Sequence, residues 1–238
     1  MPGPRDRGRD PRQVGLGAFL APRSIRWVLR HRAWTRFHLV RYWRFLVLKV
    51  RHPEVVTEGF VYLGRRVELS ARPGYGRIVL GRWVHLGDGT RLRAHEGTLR
   101  VGDKAVFGRD NTVNCYLDIE FGARSLVADW VYVCDFDHRF GDLGVPIKDQ
   151  GIVKTPVRVG PDVWVGVKAS ILRGAMVGEG SVLAAHTVVR GDVPAGSVVA
   201  GVPGRVVRSR VVRSRARTSD GEAAETAPIV TTSRESDT

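Results

Sequence analysis

The sequence predicts an all-β fold in which short parallel strands wind into a β-helix of hexapeptide repeats. Apolar residues recur every six positions, a small or β-branched residue follows four positions after most of them, and slips in the frame fall after every third repeat. The clearest run is Val159, Val165, Ile171, Val177, Leu183 and Val189. Upstream, the same frame continues through Leu80, Leu86, Leu92, Val101, Phe107, Val113, Phe121, Val127 and Val133.

A period of six fits neither an α-helix nor a simple hairpin, whose side chains repeat about every 3.6 and every two residues. A short strand and a turn, repeated, bring one apolar residue inward at each corner, so three hexapeptides close one triangular coil. Stacked coils share backbone hydrogen bonds. The sequence therefore predicts about five to six coils over 57–208, with a weaker first coil marked by Leu63 and Leu69. A β-sandwich is the alternative, but it would need turns about every 8–12 residues, and the sequence does not show that spacing.

Ahead of the repeats, residues 23–56 are predicted to form a basic helical arm, because 24–50 contain neither Gly nor Pro. One interpretation packs this helix on its own domain or on a neighbouring subunit. The other is a peripheral contact with an anionic membrane surface. The aromatic residues at headgroup level would then be Trp27, Trp34 and Trp43. The many positive charges of the segment exclude a membrane span.

The net charge of +14 is concentrated near the N-terminus, where residues 1–58 carry 13 basic and 4 acidic side chains. Such a local excess does not make the whole chain a nucleic-acid binder, and no nucleic-acid partner is expected. Two cysteines give neither a disulfide framework nor a paired metal motif. No apolar signal segment is visible, so a cytoplasmic location is expected, with contact to the inner face of the membrane as an option. Residues 1–22 and 209–238 are expected to be disordered tails.

The repeat is interrupted at 136–155, where about twenty residues must leave the prism at a corner. Loops of this length inside compact domains usually have a function. His138 lies near the start of this excursion, between Asp137 and Arg139, with Asp135 just before. An imidazole can take a proton from a hydroxyl at neutral pH, and a neighbouring carboxylate can orient the ring. A metal site at these residues is disfavoured, since no second histidine clusters with them.

The run VRVGPDVWVGVKASILRGAMVGEGSVLAAHTVVRGDVPAGSVVAGVPGRVVR resembles the hexapeptide-repeat acyltransferases, and is most similar to the galactoside, maltose and nodulation-factor O-acetyltransferases. The resemblance covers about residues 60–208. It implies left-handed coils, a homotrimer with active sites between subunits, and acyl-CoA, most simply acetyl-CoA, as co-substrate without a metal. The implied activity is O-acylation of a saccharide or glycolipid with His138 as catalytic base. N-acylation of an amino sugar or antibiotic, and a non-catalytic scaffold, remain alternatives.

The resemblance also implies roles for residues outside the excursion. Acceptor-binding candidates are Asn114 and Asp118, with Asn111 beside the family's usual asparagine position, which is Thr112 here, and Asp137. Coenzyme A candidates are Trp164 and Ala185 along the pantetheine arm and Arg190, Arg205 and Arg208 at the phosphate end. Asn114 could instead belong to an asparagine ladder inside a corner. Trp164 could instead pack at the trimer contact, and the arginines could be solvated surface charges.

Overall fold

The structure is a computed structural model that describes residues 35–210 together with Arg26 and Arg30. The expected tail at 1–22 lies outside the described residues, as do Trp27 and Trp34. The expected C-terminal tail at 209–238 also lies outside them beyond residue 210, whereas Ser209 still belongs to the last strand.

Short strands joined by turns run through the described chain from Val55 to Ser209. The first three coils contain β1 (Val55–Thr57), β2 (Tyr62–Leu63), β3 (Glu68–Ala71), β4 (Gly76–Leu80), β5 (His85–Leu86), β6 (Arg91–Ala94), β7 (Gly97–Val101), β8 (Val106–Phe107) and β9 (Thr112–Cys115). The fourth coil contains β10 (Asp118–Phe121), β11 (Leu126–Val127) and β12 (Tyr132–Cys134), and the excursion that follows it contains β13 (Phe136–His138) and β14 (Ile152–Lys154). The last two full coils contain β15 (Val157–Val159), β16 (Trp164–Val165), β17 (Ser170–Ile171), β18 (Met176–Val177), β19 (Val182–Leu183) and β20 (Val188–Val189), and the chain closes with β21 (Asp192–Val193), β22 (Ser197–Ala200) and β23 (Arg205–Ser209).

The strands form three sheets that run the length of a prism. Face A has the order β1-β4-β7-β10-β15-β18-β21, face B has the order β2-β5-β8-β11-β16-β19-β22-β23, and face C runs from β3 through β6, β9, β12 and β17 to β20. Neighbours within each face are parallel, except that β23 returns antiparallel to β22. The structure thus confirms the all-β prediction as a parallel β-helix of about six coils.

The repeat residues stack into three buried columns, because equivalent corners of successive coils pair in register. On face A, the column is Leu80, Val101, Phe121, Val159, Val177 and Val193. On face B it runs from Leu63 to Val199, and on face C it runs from Leu69 to Val189. All of these side chains are buried. The period of six therefore encodes a continuous apolar core, which is the main source of stability in such a stack.

One helix, α1 (Arg36–Arg51), packs against the first coils and closes that end of the core. Phe45 and Leu48 are buried there, and the Phe45 ring lies 5.0 Å from that of Phe60. The guanidinium of Arg44 donates to the carbonyl of Leu63 at 3.1 Å. These contacts show that α1 packs on its own domain, as one of the two interpretations proposed.

The predicted continuous helix over 24–50 is interrupted at Thr35, directly before α1. Arg26 and Arg30 are helical, and the rest of 24–34 lies outside the described residues. Thr35 is extended, with ψ of 157°. Thr35 is the N-cap of α1, since its carbonyl accepts the backbone N–H groups of His38 and Leu39 at 2.8 and 3.0 Å, and its hydroxyl lies 2.8 Å from Nδ1 of His38. Within the described residues, no helix has both the length and the apolar character needed to cross a membrane.

The excursion is more ordered than its irregular sequence suggests. Strands β13 and β14 form an antiparallel hairpin in which His138 faces Ile152. A short 3₁₀-helix, Ile147–Asp149, lies in the connection between them. The hairpin leaves the prism after β12 and returns at β15, so the next coil continues in register. The corner insertion predicted at 136–155 is confirmed by this arrangement.

Candidate active site

His138 is the last residue of β13 and is exposed to solvent. It lines an open cleft of about 1060 Å³ between the hairpin and the prism, together with Arg139, Phe140, Arg173 and Arg190. The ring stands edge-on to Phe136 with centroids 6.0 Å apart. The carboxylates of Asp137, Asp142 and Asp149 also line this cleft. An accessible imidazole on an anchored hairpin in such a polar cleft is suited to proton transfer.

Asp137 anchors this hairpin to the prism. Its Oδ2 accepts hydrogen bonds from Nε of Arg173 at 2.9 Å and from Nη2 of Arg190 at 3.1 Å. Arg173 also donates to Oγ1 of Thr155 at 2.9 Å. The Asp137 carboxylate is therefore engaged by two arginines of the fifth and sixth coils, in an ion-pair cluster that borders the His138 cleft.

Asp135 has a structural role that the sequence analysis did not identify. Its carboxylate is fully buried and accepts the backbone N–H groups of Tyr116, Leu117 and Asp118 at 2.8, 2.7 and 2.8 Å. These donors belong to the turn between β9 and β10, one coil earlier. Asp135 thus fastens the corner from which the excursion departs, and its carboxylate does not orient the His138 ring.

The same buried corner suppresses the chemistry of Cys115. Burial raises the pKa of this thiol far above its usual range, and the nearby charge of Asp135 adds to the effect. The Sγ atom lies 3.5 Å from Oδ2 of Asp135. Burial likewise raises the pKa of Cys134. Both thiols are free and buried, so neither is a candidate nucleophile.

A stack of aromatic rings supports the base of the hairpin. His95 stacks on Tyr116 at 4.6 Å, and Tyr116 lies 4.5 Å from Phe136. Lys154 pairs with Glu96 beside them. The sequence analysis missed this stack, although its signal was present, since the three aromatic residues occupy the same corner of successive coils about one coil length apart.

The three acceptor candidates outside the hairpin lie in different environments. Asn114 is on the outer side of face C, half-buried beside Tyr132, and there it is reachable from solvent. Burial raises the pKa of Tyr132, while its hydrogen bond with Asn114 acts in the opposite direction. Asp118 is held between Nη1 of Arg100 at 2.8 Å and Nη2 of Arg158 at 2.5 Å. Asn114 and Asp118 remain acceptor candidates. The Asp118 carboxylate is already paired with two arginines, so an acceptor would contact it as part of that ion-pair network.

Asn111 requires a correction, because it is fully buried inside a corner. Its Oδ1 accepts the backbone N–H of Val131 at 2.8 Å. In this position the side chain has no surface that a saccharide could touch. The corner asparagine is therefore Asn111, whereas Asn114, for which that interpretation was considered, points to the outer surface.

The coenzyme A candidates do not converge around His138 within one chain. Trp164 is 51% exposed on the outer side of face B and lines a second cleft, of about 1040 Å³, together with Arg208 and Leu126. Arg205 is exposed on β23, opposite Ala200. Ala185 is exposed at the corner between β19 and β20. Arg190 alone lies in the His138 cleft.

No cluster of three or more His, Cys, Asp or Glu side chains that would hold a metal ion occurs within residues 35–210. Imidazole, guanidinium, carboxylate and indole groups line the two clefts. Their combination suits proton transfer and the binding of a phosphorylated ligand.

Comparison with known proteins supports the resemblance seen in the sequence. The chain is 55% identical over 195 residues to a protein of Mycobacterium tuberculosis named as a probable acetyltransferase, covering 82% of this chain and 64% of that protein. It is 30% identical over 142 residues to WbbJ of Escherichia coli, whose name assigns it provisionally to lipopolysaccharide biosynthesis as an O-acetyl transferase, covering 54% of this chain and 69% of that one. No family model matches the chain.

A crystal structure of AntD, an N-acyltransferase from Bacillus cereus in complex with dTDP and 3-hydroxybutyryl-CoA, has a similar fold. The TM-score is 0.56 at 17% sequence identity, and the match covers 68% of this chain and 87% of that one. At this identity the similarity concerns the fold alone. The chain spans 64% of the length of the mycobacterial relative.

Proposed function

Because this chain belongs to the hexapeptide-repeat acyltransferase family, we propose that it transfers an acyl group, in the simplest case acetyl, from acyl-CoA to a hydroxyl of a saccharide or glycolipid. His138 is the general base. The observation that carries the proposal is the exposed imidazole on a hairpin held to the prism by the Asp137 ion-pair cluster. A non-catalytic scaffold would have no need for an anchored, solvent-facing histidine at this corner.

The chemistry requires one proton to move twice. The His138 imidazole takes the proton of the acceptor hydroxyl while the oxygen attacks the thioester carbonyl, forming the new C–O bond. The tetrahedral intermediate then breaks its C–S bond, and the imidazolium returns the proton to the departing thiolate of coenzyme A. Base catalysis of this kind contributes typically about 10²–10⁴-fold. Backbone N–H groups or guanidinium groups near the hairpin stabilise the oxyanion.

The site is completed by a second copy of the chain. The far end of the excursion exposes apolar side chains, of which Leu143 is fully exposed, with Phe140 and Ile147 beside it. The outer side of face B presents two exposed apolar side chains, Leu126 and Trp164, which pair in register. Exposed apolar surfaces of this kind mark protein contacts. A closed homotrimer in which the excursion tip of one copy rests on the next copy would cover both surfaces.

In this assembly, the His138 cleft of one copy faces the Trp164 cleft of the next. Trp164 and Ala185 line the path of the pantetheine arm, and Arg205 and Arg208 on β23 meet the phosphates. Arg190 is held by Asp137 and contributes positive charge at the junction. Asn114 and Asp118, with Asp137 at the hairpin, contact the acceptor. Their polar side chains suit sugar hydroxyls, and the O-acetyl transferase name of the Escherichia coli relative favours an oxygen acceptor.

The test is thiol release from acetyl-, butyryl- and octanoyl-CoA over a panel of saccharides and amino sugars, with wild type beside His138→Ala. Acceptor-dependent release that falls at least about a hundredfold in the variant would support the proposal. Faster release with amino sugars than with hydroxyl acceptors would identify an N-acyltransferase. Binding of saccharides without any thiol release, by either protein, would favour the scaffold.

A further inference from the structure

Helix α1 presents an apolar stripe to solvent on the side away from the prism. Its residues are spaced by four, three and four positions, so they lie on one line along the helix. Trp43 is 64% exposed and Val50 is 71% exposed. The stripe consists of Leu39, Trp43, Leu46 and Val50. The opposite side of α1 is already buried on the domain through Phe45 and Leu48, so the stripe stays exposed among residues 35–210.

An arginine cleft lies along the flank of the same helix. It has a volume of about 860 Å³ between α1 and the first four coils. The arginine cleft is lined by Arg36, Arg41, Arg44, Arg65 and Arg109. Val40 lines the cleft and is itself exposed, so the cleft opens next to the apolar stripe.

The cleft carries more positive than negative charge. Among the described residues, two carboxylates, Asp88 and Asp129, line it beside the five guanidinium groups. Both are engaged as corner caps, since their Oδ1 atoms accept the backbone N–H groups of Arg65 and Arg109, each at 2.7 Å. Burial lowers the pKa of His85 in the same cleft, and the charge of Arg41 lowers it further. An anionic ligand bound in the cleft would reduce this excess of positive charge.

We propose that α1 lies on an anionic lipid surface, with the apolar stripe at the headgroup–acyl boundary and the arginine cleft binding lipid phosphate. An apolar stripe flanked by arginines is the pattern of helices that lie in the membrane interface. One guanidinium group can donate two parallel hydrogen bonds to the oxygens of a phosphate. A second copy of this helix is a poorer occupant, because residues 1–58, which include α1, carry 13 basic against 4 acidic side chains and would repel a cleft with excess positive charge. The inference does not rest on the acyl-transfer proposal.

The test is flotation of the full chain with vesicles of phosphatidylcholine alone and of phosphatidylcholine with phosphatidylglycerol. We expect binding to the anionic vesicles and at least about tenfold weaker binding to the neutral ones. Leu39→Ser with Trp43→Ser, at exposed positions, should lower binding to the anionic vesicles by about tenfold or more while the unfolding temperature stays the same.

A second experiment tests the arginine cleft by comparing vesicle binding of two double variants that lose the same charge. Arg65→Asn with Arg109→Asn should weaken binding to anionic vesicles about tenfold. Lys104→Asn with Lys148→Asn removes equal charge outside the cleft and should weaken it less than about threefold. Equal effects of the two pairs, equal binding to neutral and anionic vesicles, or full binding by the stripe variant would each overturn the proposal. So would a stripe variant that changes the oligomeric mass instead, because the occupant would then be a second copy.

Discussion

Arg173 joins both strands of the excursion hairpin to the prism. Its Nε donates to Oδ2 of Asp137 at 2.9 Å, and its Nη1 donates to Oγ1 of Thr155 at 2.9 Å. Asp137 precedes His138 in β13, and Thr155 directly follows β14. One guanidinium group of the fifth coil therefore fixes the two ends of the hairpin, which makes Arg173 a positioning residue for the imidazole.

Replacing Arg173 should impair turnover more than substrate binding. For Arg173→Gln we expect kcat to fall roughly 10–100-fold with the KM for acyl-CoA within about twofold, because a loosened hairpin misplaces the base. Arg173→Lys keeps one charged donor and should recover part of kcat. The measurement is steady-state kinetics, with Lys148→Gln on the far part of the excursion as control. A rise in KM at unchanged kcat would show that Arg173 binds substrate and does not position His138.

Asp135 should be a major determinant of stability at the corner. For Asp135→Ala we expect a loss of about 3 kcal/mol in the free energy of unfolding, because three backbone N–H groups lose a charged acceptor. Urea denaturation followed by circular dichroism measures it. Asp142→Ala, at an exposed turn within the excursion where the carboxylate accepts one N–H, is the control and should cost less than about 1 kcal/mol. Similar losses for both variants would contradict this role of Asp135.

The thiols of Cys115 and Cys134 should react very slowly with alkylating reagents in the folded protein. Burial raises the pKa of both, so at pH 8 the thiolate fraction is lower than for an ordinary cysteine, and access is also blocked. We expect labelling at least about a hundredfold slower than that of a free thiol, with both cysteines reacting in denaturant. Rapid labelling of one thiol in the native protein would show that a corner opens. Mass spectrometry after timed alkylation identifies the residue.

The sequence specifies the prism more completely than the site. The frame from Leu80 to Val189 predicts the buried columns because each corner repeats the same local requirement. The same frame distinguishes the two asparagines. Asn111 stands four residues after Phe107, at a position that holds a buried small or β-branched residue in other repeats, whereas Asn114 directly follows the repeat residue Val113. The backbone N–H groups that donate to the Asp135 carboxylate belong to residues of the preceding coil. A contact between residues so far apart in sequence cannot be recognised from the residues next to Asp135.

The excursion shows the same division. Its existence and its histidine are predicted from the interruption of the repeat, because extra residues can leave a coil only at a corner. The pairing of β13 with β14 in a hairpin is not predicted, because each strand has three residues and neither shows an alternation of apolar and polar side chains. Long-range partners decide both the Asp135 contacts and the hairpin pairing.

The central claim is that His138 of one copy acts at the cleft of another, and mixed oligomers test it most directly. Two differently tagged variants, His138→Ala and Trp164→Ala with Arg208→Ala, would be co-expressed and purified through both tags in succession. Each inactive variant alone provides the background. In a cyclic trimer containing both variants, one junction of three combines an intact histidine with an intact cleft, so the account predicts about one third of the wild-type rate of acceptor-dependent thiol release. Mixed oligomers as inactive as either variant alone would contradict it, because His138 and the cleft would then have to act within one chain.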